Sequence, residues 1–186
     1  VPIRHGKTEH NTVGYAVYRL VQNPKTRVLV CSYNERRAQK FSRDIRKLAA
    51  ACGVQMSADR NAAGEWETAA GGGVQAVGAG AGVAGVNADV ILPDDPIGSR
   101  DDAESLAKRD QVWDWLTNDI LARAEPHTAV VMTMSRWHQD DPAGRLLDQQ
   151  AARWTIVDLP AECESPETDP FGRELGEPLW PEMRGV

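Results

Sequence analysis

Near one end of the chain, Pro2-Ile3-Arg4-His5-Gly6-Lys7-Thr8 sets a glycine, a lysine and a hydroxyl side by side. That order suits a phosphate. Consecutive backbone N–H groups at a turn entering a helix surround an anion. Gly6 lets the main chain approach without a side chain. Lys7 brings a cation to the β- and γ-phosphates, and the Thr8 hydroxyl ligates Mg²⁺. Arg4 and His5 complete the loop. The usual pattern opens on a glycine five residues before Gly6; here that residue is Val1. Further on, Val90-Ile91-Leu92-Pro93-Asp94-Asp95-Pro96 runs from an apolar strand into two carboxylates. A carboxylate at a strand end, Asp94, binds Mg²⁺ directly or through water. Its neighbour Asp95 is placed to orient or deprotonate an attacking water. Taken singly, each half reads equally as a solvated turn, since Asp-Asp-Pro is good turn chemistry. Taken together, they imply binding and hydrolysis of a nucleoside triphosphate, with ATP and Mg²⁺ as the cofactors.

Two further groups bear on that chemistry. Thr133-Met134-Ser135-Arg136-Trp137-His138 leaves an expected strand, and polar groups at a strand's carboxyl end face such a pocket. Such a group can sense whether the terminal phosphate is present, although spacing alone reads better as an ordinary strand-to-loop exit. His138, Asp140 and Asp141 imitate a metal cluster in spacing, although Asp141 reads better as a helix cap. On residues 35–51, Arg36, Lys40, Arg43 and Lys47 fall on one helical face. This is either a contact for a DNA backbone or a solvated face.

Positioning these residues requires an alternation of helices and strands. Periodicity predicts a helix over 9–22 with Val13, Val17 and Leu20 inward, and a buried strand over 28–31. A second helix, 35–51, carries an apolar stripe of Ala38, Phe41, Ile45 and Leu48. A hairpin pairs 65–68 with 74–77 around Gly71-Gly72-Gly73. A glycine-rich loop, 78–85, leads to the acidic strand 89–93, where Pro93 weakens a central ladder. A helix over 102–124, capped by Ser99 or Asp101, is expected to bury Leu106, Trp113, Leu116 and Ile120. Strand 129–133, a helix starting at Asp141-Pro142 and strand 154–157 follow. Residues from Pro160 onward read as a linker or extended edge. The expected fold is α/β, a mainly parallel sheet with helices on both faces. Only Val1 precedes the loop, so the strand that would deliver it is expected to be missing, by truncation.

Composition sets outer limits. The 186 residues suffice for one core, and 41% hydrophobic content is globular. No run approaches the roughly 18 apolar residues of a membrane span. Cys31, Cys52 and Cys163 are widely spaced and odd in number, which points to reduced thiols and a cytoplasmic setting. A net charge of −6 excludes a uniformly basic coat, so nucleic acid must meet a local patch.

As an ordered set, these motifs resemble phage terminase large subunits, the ATP-driven DNA-packaging motors. The matching residues are Ile3 through Glu9, Asp94-Asp95-Pro96-Ile97, Val112-Trp113-Asp114-Trp115, Met134 through His138 and Asp141 through Leu147. The closing Gly176-Glu177-Pro178-Leu179-Trp180-Pro181-Glu182 is similar to where the family's ATPase domain ends. The resemblance implies an additional-strand, RecA-like P-loop ATPase over 1–160, with 161–186 leading towards a nuclease domain that this chain lacks. It implies that Lys7 and Thr8 bind ATP and Mg²⁺, that Asp94 is the magnesium acid and Asp95 the catalytic acid, and that 133–136 couple hydrolysis to DNA movement. Arg4 would stabilise the transition state. The partners it implies are double-stranded DNA, a portal protein, a small terminase subunit and further copies in a ring, a pentamer, in the host cytoplasm. Where the family commonly has Thr-Gly-Arg-Gly, this chain has Ala84-Gly85-Val86-Asn87, without the arginine. A helicase-like nucleic-acid-dependent ATPase and a remnant that only binds partners are the other readings of the same motifs.

Overall fold

The computed structural model describes residues 5–83, 85 and 87–184, and of 183 and 184 the backbone alone. It is an α/β protein built on one six-stranded mixed sheet in the order β2-β3-β4-β1-β5-β6. The strands are β1 (Arg27–Ser32), β2 (Met56–Asn61), β3 (Glu65–Thr68), β4 (Gly73–Gly78), β5 (Val90–Asp94) and β6 (Ala129–Val130). β4, β1, β5 and β6 run parallel, and β2 and β3 join antiparallel at one flank.

β1 lies in the middle because it is apolar on both faces, with every residue after Arg27 buried. Its register sets Val30 between Ala76 and Leu92, and Leu29 between Gln75 and Ile91. Val28, Val30, Val90 and Leu92 therefore share one face. There they meet Val13, Val17 and Leu20 of the first helix and Phe41 and Ile45 of the second. Leu29, Cys31 and Ile91 share the other face, against Trp115, Leu116 and Ile120. Helices thus cover both faces, as expected. Truncating one of these fully buried side chains, Leu92→Ala for example, costs roughly 2–5 kcal/mol.

The first helix opens as a π-helical segment, Thr8–Gly14, and continues as α1 (Tyr15–Gln22). α2 (Glu35–Ala51) starts where Asn34 accepts the Arg37 N–H at 2.8 Å. Its entry depends on Gly78, where a Cβ would stand 2.2 Å from the Glu35 nitrogen. Ala49, not Leu48, completes the buried stripe; Leu48 is 43% exposed.

Other expectations are corrected. The helix over 102–124 is divided. Ser99 caps α3 (Arg100–Glu104), and Ser105 ends it and caps α4 (Leu106–Asp114). A π-helical segment, Trp115–Ile120, then widens the winding and turns Trp115 inward instead of Trp113, while Leu106 is 58% exposed. β6 is short for a reason that Pro93 supplies. Val131 N–H bonds Ile91 O and Thr133 N–H bonds Pro93 O, but Pro93 has no N–H to return. Regular pairing ends at Val130 and resumes as a single bridge between Asp94 and Thr133. Residues 154–157 form no strand, and Ile156 and Val157 are exposed. α5 (Pro142–Gln150) begins where Asp141 was expected to cap it.

The segment after Pro160 holds more structure than a linker needs. Cys163 N–H bonds Glu177 O, and Leu179 N–H bonds Ala161 O, folding the segment back on itself. The Arg173 guanidinium, buried with Asp169, also donates to Pro160 O and Glu177 O. A short helix, α6 (Pro181–Arg184), follows. No helix among the described residues is long and apolar enough to cross a membrane.

Candidate functional site at the carboxyl edge of the sheet

The parallel strands all end at one edge, where ligands of open α/β sheets bind. Register places Ser32, Asp94 and Thr133 abreast there, on the face covered by the first helix. Asp94 is fully buried. Thr8 Oγ1 donates to its Oδ1 at 3.1 Å, and Thr12 Oγ1 donates to its Oδ2. Those hydroxyls stand one turn apart, so a single helix face presents both to the carboxylate. Burial pushes Asp94 up to about 6, a neighbouring Asp95 charge adds to the rise, and the two hydroxyls and Arg37 oppose it.

The hydroxyls of Ser32 and Thr133 are buried and have no hydrogen-bond partner among the described residues. Two orphaned donor–acceptor groups beside a buried carboxylate are costly unless a ligand satisfies them. The set is all oxygen, with one carboxylate and several hydroxyls. That is the donor chemistry of a hard divalent cation that keeps part of its water shell. Such a donor set suits Mg²⁺ in kind, and Thr8 and Asp94 are the residues that would hold it, although among the described residues no three His, Cys, Asp or Glu side chains converge.

Beside this row lies a second chain of contacts. Lys7 Nζ donates to Ser135 Oγ at 2.8 Å, and Ser135 N–H donates to Asp95 Oδ1 at 2.9 Å. Lys7, the 133–136 segment and the second carboxylate thus meet at one place. Asp95 has φ +43°, unusual for a residue with a side chain. Its N–H bonds Thr133 O at 2.8 Å and its carbonyl accepts from Tyr33 N–H at 3.2 Å, so both neighbouring strand ends hold it there. Strain of this kind, on the order of 1–3 kcal/mol, persists only where surroundings impose it. Gly6, at φ +71°, makes the left-handed turn that starts the helix, and His10 N–H bonds its carbonyl.

Arg136 points elsewhere. Its Nε meets the buried Asp141 carboxylate at 3.0 Å, and Asp141 also accepts the N–H groups of Trp137, His138 and Gly144. His138, Asp140 and Asp141 do not converge, since Asp140 is taken by Arg109 and Arg145. Those guanidiniums, Arg145 foremost, hold Asp140 well below the usual carboxylate range. Arg4 lies outside the described residues, as do 84 and 86.

Arg36, Lys40 and Arg43 line a cleft of about 370 Å³ with Tyr33, Asn34 and Arg37; Lys47 is not part of it. Sequence reasoning missed Thr12, Ser32 and Arg37. Thr12 could have been found from its spacing of four to Thr8, and Ser32 from its place at the end of an apolar run. No protein-family model matches this chain, and no curated protein matches it either.

Proposed function

We propose that this chain is the ATP-hydrolysing core of a DNA-packaging motor of the phage terminase large-subunit type, on an additional-strand, RecA-like P-loop fold. The observation that carries the ATPase reading is the meeting of Thr8 and Thr12 with Asp94, of Lys7 with Ser135, and of Ser135 with Asp95. Parts distant in the chain meet there, which supports reading them as a phosphate loop and an acidic strand end. The packaging role rests on the likeness of the ordered motifs. Its partners would be double-stranded DNA at the cleft of α2, a portal protein, a small subunit and neighbouring copies in a ring.

In this reading the backbone of the loop and Lys7 hold the terminal phosphates. Thr8 and Asp94 hold Mg²⁺, which when bound neutralises charge on the β- and γ-phosphates. Asp95, kept in its strained backbone by both neighbouring strands, orients the attacking water. Ser135, bonded to Lys7 and to Asp95, reports whether the terminal phosphate is in place. Positioning and charge account for most of the rate.

Calorimetry with Mg²⁺-ATP tests this. Lys7→Ala is expected to remove nucleotide binding. Asp95→Ala is expected to bind ATP and to lose turnover by a factor of about 10² or more, the scale of a general base. Normal hydrolysis by Asp95→Ala would reassign the catalytic acid. Normal binding by Lys7→Ala, with circular dichroism showing a folded domain, would end the phosphate-loop reading.

A further inference from the structure

The end of the folded C-terminal segment reaches the phosphate loop. A Cβ on Gly6 would stand 3.4 Å from Trp180 Cζ3 and 3.0 Å from His10 Cδ2. An indole far along the chain therefore lies in van der Waals range of the glycine that turns the loop. Trp180 is half-buried, unlike Trp66 and Trp115, which are core residues.

The chain around it is stiff. Pro178 and Pro181 flank the Leu179-Trp180 pair. A proline fixes its own φ and drives the residue before it to extended backbone, so Pro181 restricts Trp180 directly. Upstream, Leu179 N–H bonds Ala161 O at 2.7 Å, and Arg173 ties Asp169, Pro160 and Glu177 together. A device of this kind presents one aromatic ring at small entropic cost, because little freedom remains to be lost.

We propose that Trp180 is the platform on which the base of the bound nucleotide stacks, with the His10 ring beside it. The inference rests on the phosphate-loop reading above and adds the part of the ligand that the loop does not hold. On this reading the ribose and base leave the loop on the Gly6 side, where the indole stands. A ring face reads every base alike, because each base has a π-face. The site is therefore expected to accept nucleoside triphosphates with little discrimination between bases.

The test compares Mg²⁺-ATP with Mg²⁺-tripolyphosphate, which has the phosphates and no base, by calorimetry on the whole chain. Trp180→Ala is expected to weaken ATP by on the order of tenfold or more, in line with the loss of one base stack, and to leave tripolyphosphate unchanged. Trp180→Phe is expected to recover most of the ATP affinity. Equal weakening of both ligands would make Trp180 a support of the loop, and no weakening of either would remove it from the site; each result overturns the platform. Lys7→Ala distinguishes the two readings, since it should weaken both ligands. If the unaltered chain binds neither, the phosphate-loop reading fails, and the stacking proposal fails with it.

Discussion

Asp94 and Asp141 are both fully buried carboxylates, and their surroundings differ in kind. Asp141 accepts three backbone N–H groups and the Arg136 guanidinium. Among the described residues, Asp94 accepts two neutral hydroxyls and pairs with no cation, and two buried hydroxyls beside it have no hydrogen-bond partner. The arginines divide the same way. Arg109, Arg136 and Arg145 are paired with Asp140 and Asp141. Arg36 and Arg43 at the α2 cleft have no carboxylate partner among the described residues. A saturated carboxylate holds a fold together. One left short of donors and raised in pKa is prepared for something the protein does not supply.

Removing the saturated carboxylate should do the most damage. Asp141→Ala takes away the cap of α5 and leaves three N–H groups and Arg136 without their acceptor. The expected loss is about 2–4 kcal/mol. It would be read as a melting temperature lower by roughly 5–15 °C, with no dependence on nucleotide. A loss within a degree or two would make the two carboxylates alike and remove the contrast.

The unsaturated carboxylate should respond with the opposite sign. Asp94 is raised by burial to about 6 from 3.8, so the folded chain holds a proton that the unfolded chain releases. Its charge therefore costs stability as pH rises from about 4 to 6, and the full cost is present above that range. Asp94→Asn is expected to raise stability at pH 8 by up to about 3 kcal/mol, an advantage that disappears below pH 4. It should also abolish the gain in stability that the proposed function expects from Mg²⁺-ATP in the unaltered protein. A less stable Asp94→Asn at pH 8 would show that Thr8 and Thr12 satisfy the carboxylate fully.

Local signals carried the elements of this fold; non-local pairing decided what they missed. α2 was legible because its apolar stripe has the helical period. β2 was not legible because Met56–Asn61 is a mostly exposed edge strand, polar in sequence, and only β3 fixes it. Residues 154–157 have strand composition, yet they pair with no strand among the described residues. Lys7, Thr8, Asp94 and Asp95, singled out by residue type and order, are brought together at the sheet edge. Ser32 was not singled out, because its role comes from lying beside Asp94 in a register that only the assembled sheet creates. Arg136 shows the converse: its motif suggested chemistry, and a buried Asp141 five residues away claims its side chain.

The exposed cations of α2 give the smallest effect and extend the comparison from anions to cations. A phosphate contact made by Lys or Arg releases counterions, so each one adds about 0.9 to the slope of log K against log salt on duplex DNA. Arg36 and Arg43 are exposed without carboxylate partners, and Lys40, although 2.6 Å from Asp44, lies in a surface pair of little strength. Changing Arg36, Lys40 and Arg43 together to Ala is expected to lower the slope by about 2–3 while leaving melting temperature and ATP affinity in place. Lys47, outside the cleft, should change it by well under one when replaced alone. The slopes come from equilibrium binding of duplex DNA over a salt series. An unchanged slope in the triple variant would mean that cations without carboxylate partners at this surface are simply solvated. An equal effect from Lys47 would mean that DNA follows the whole helical face, not the cleft beside Tyr33, whose N–H holds the carbonyl of the catalytic-acid candidate Asp95.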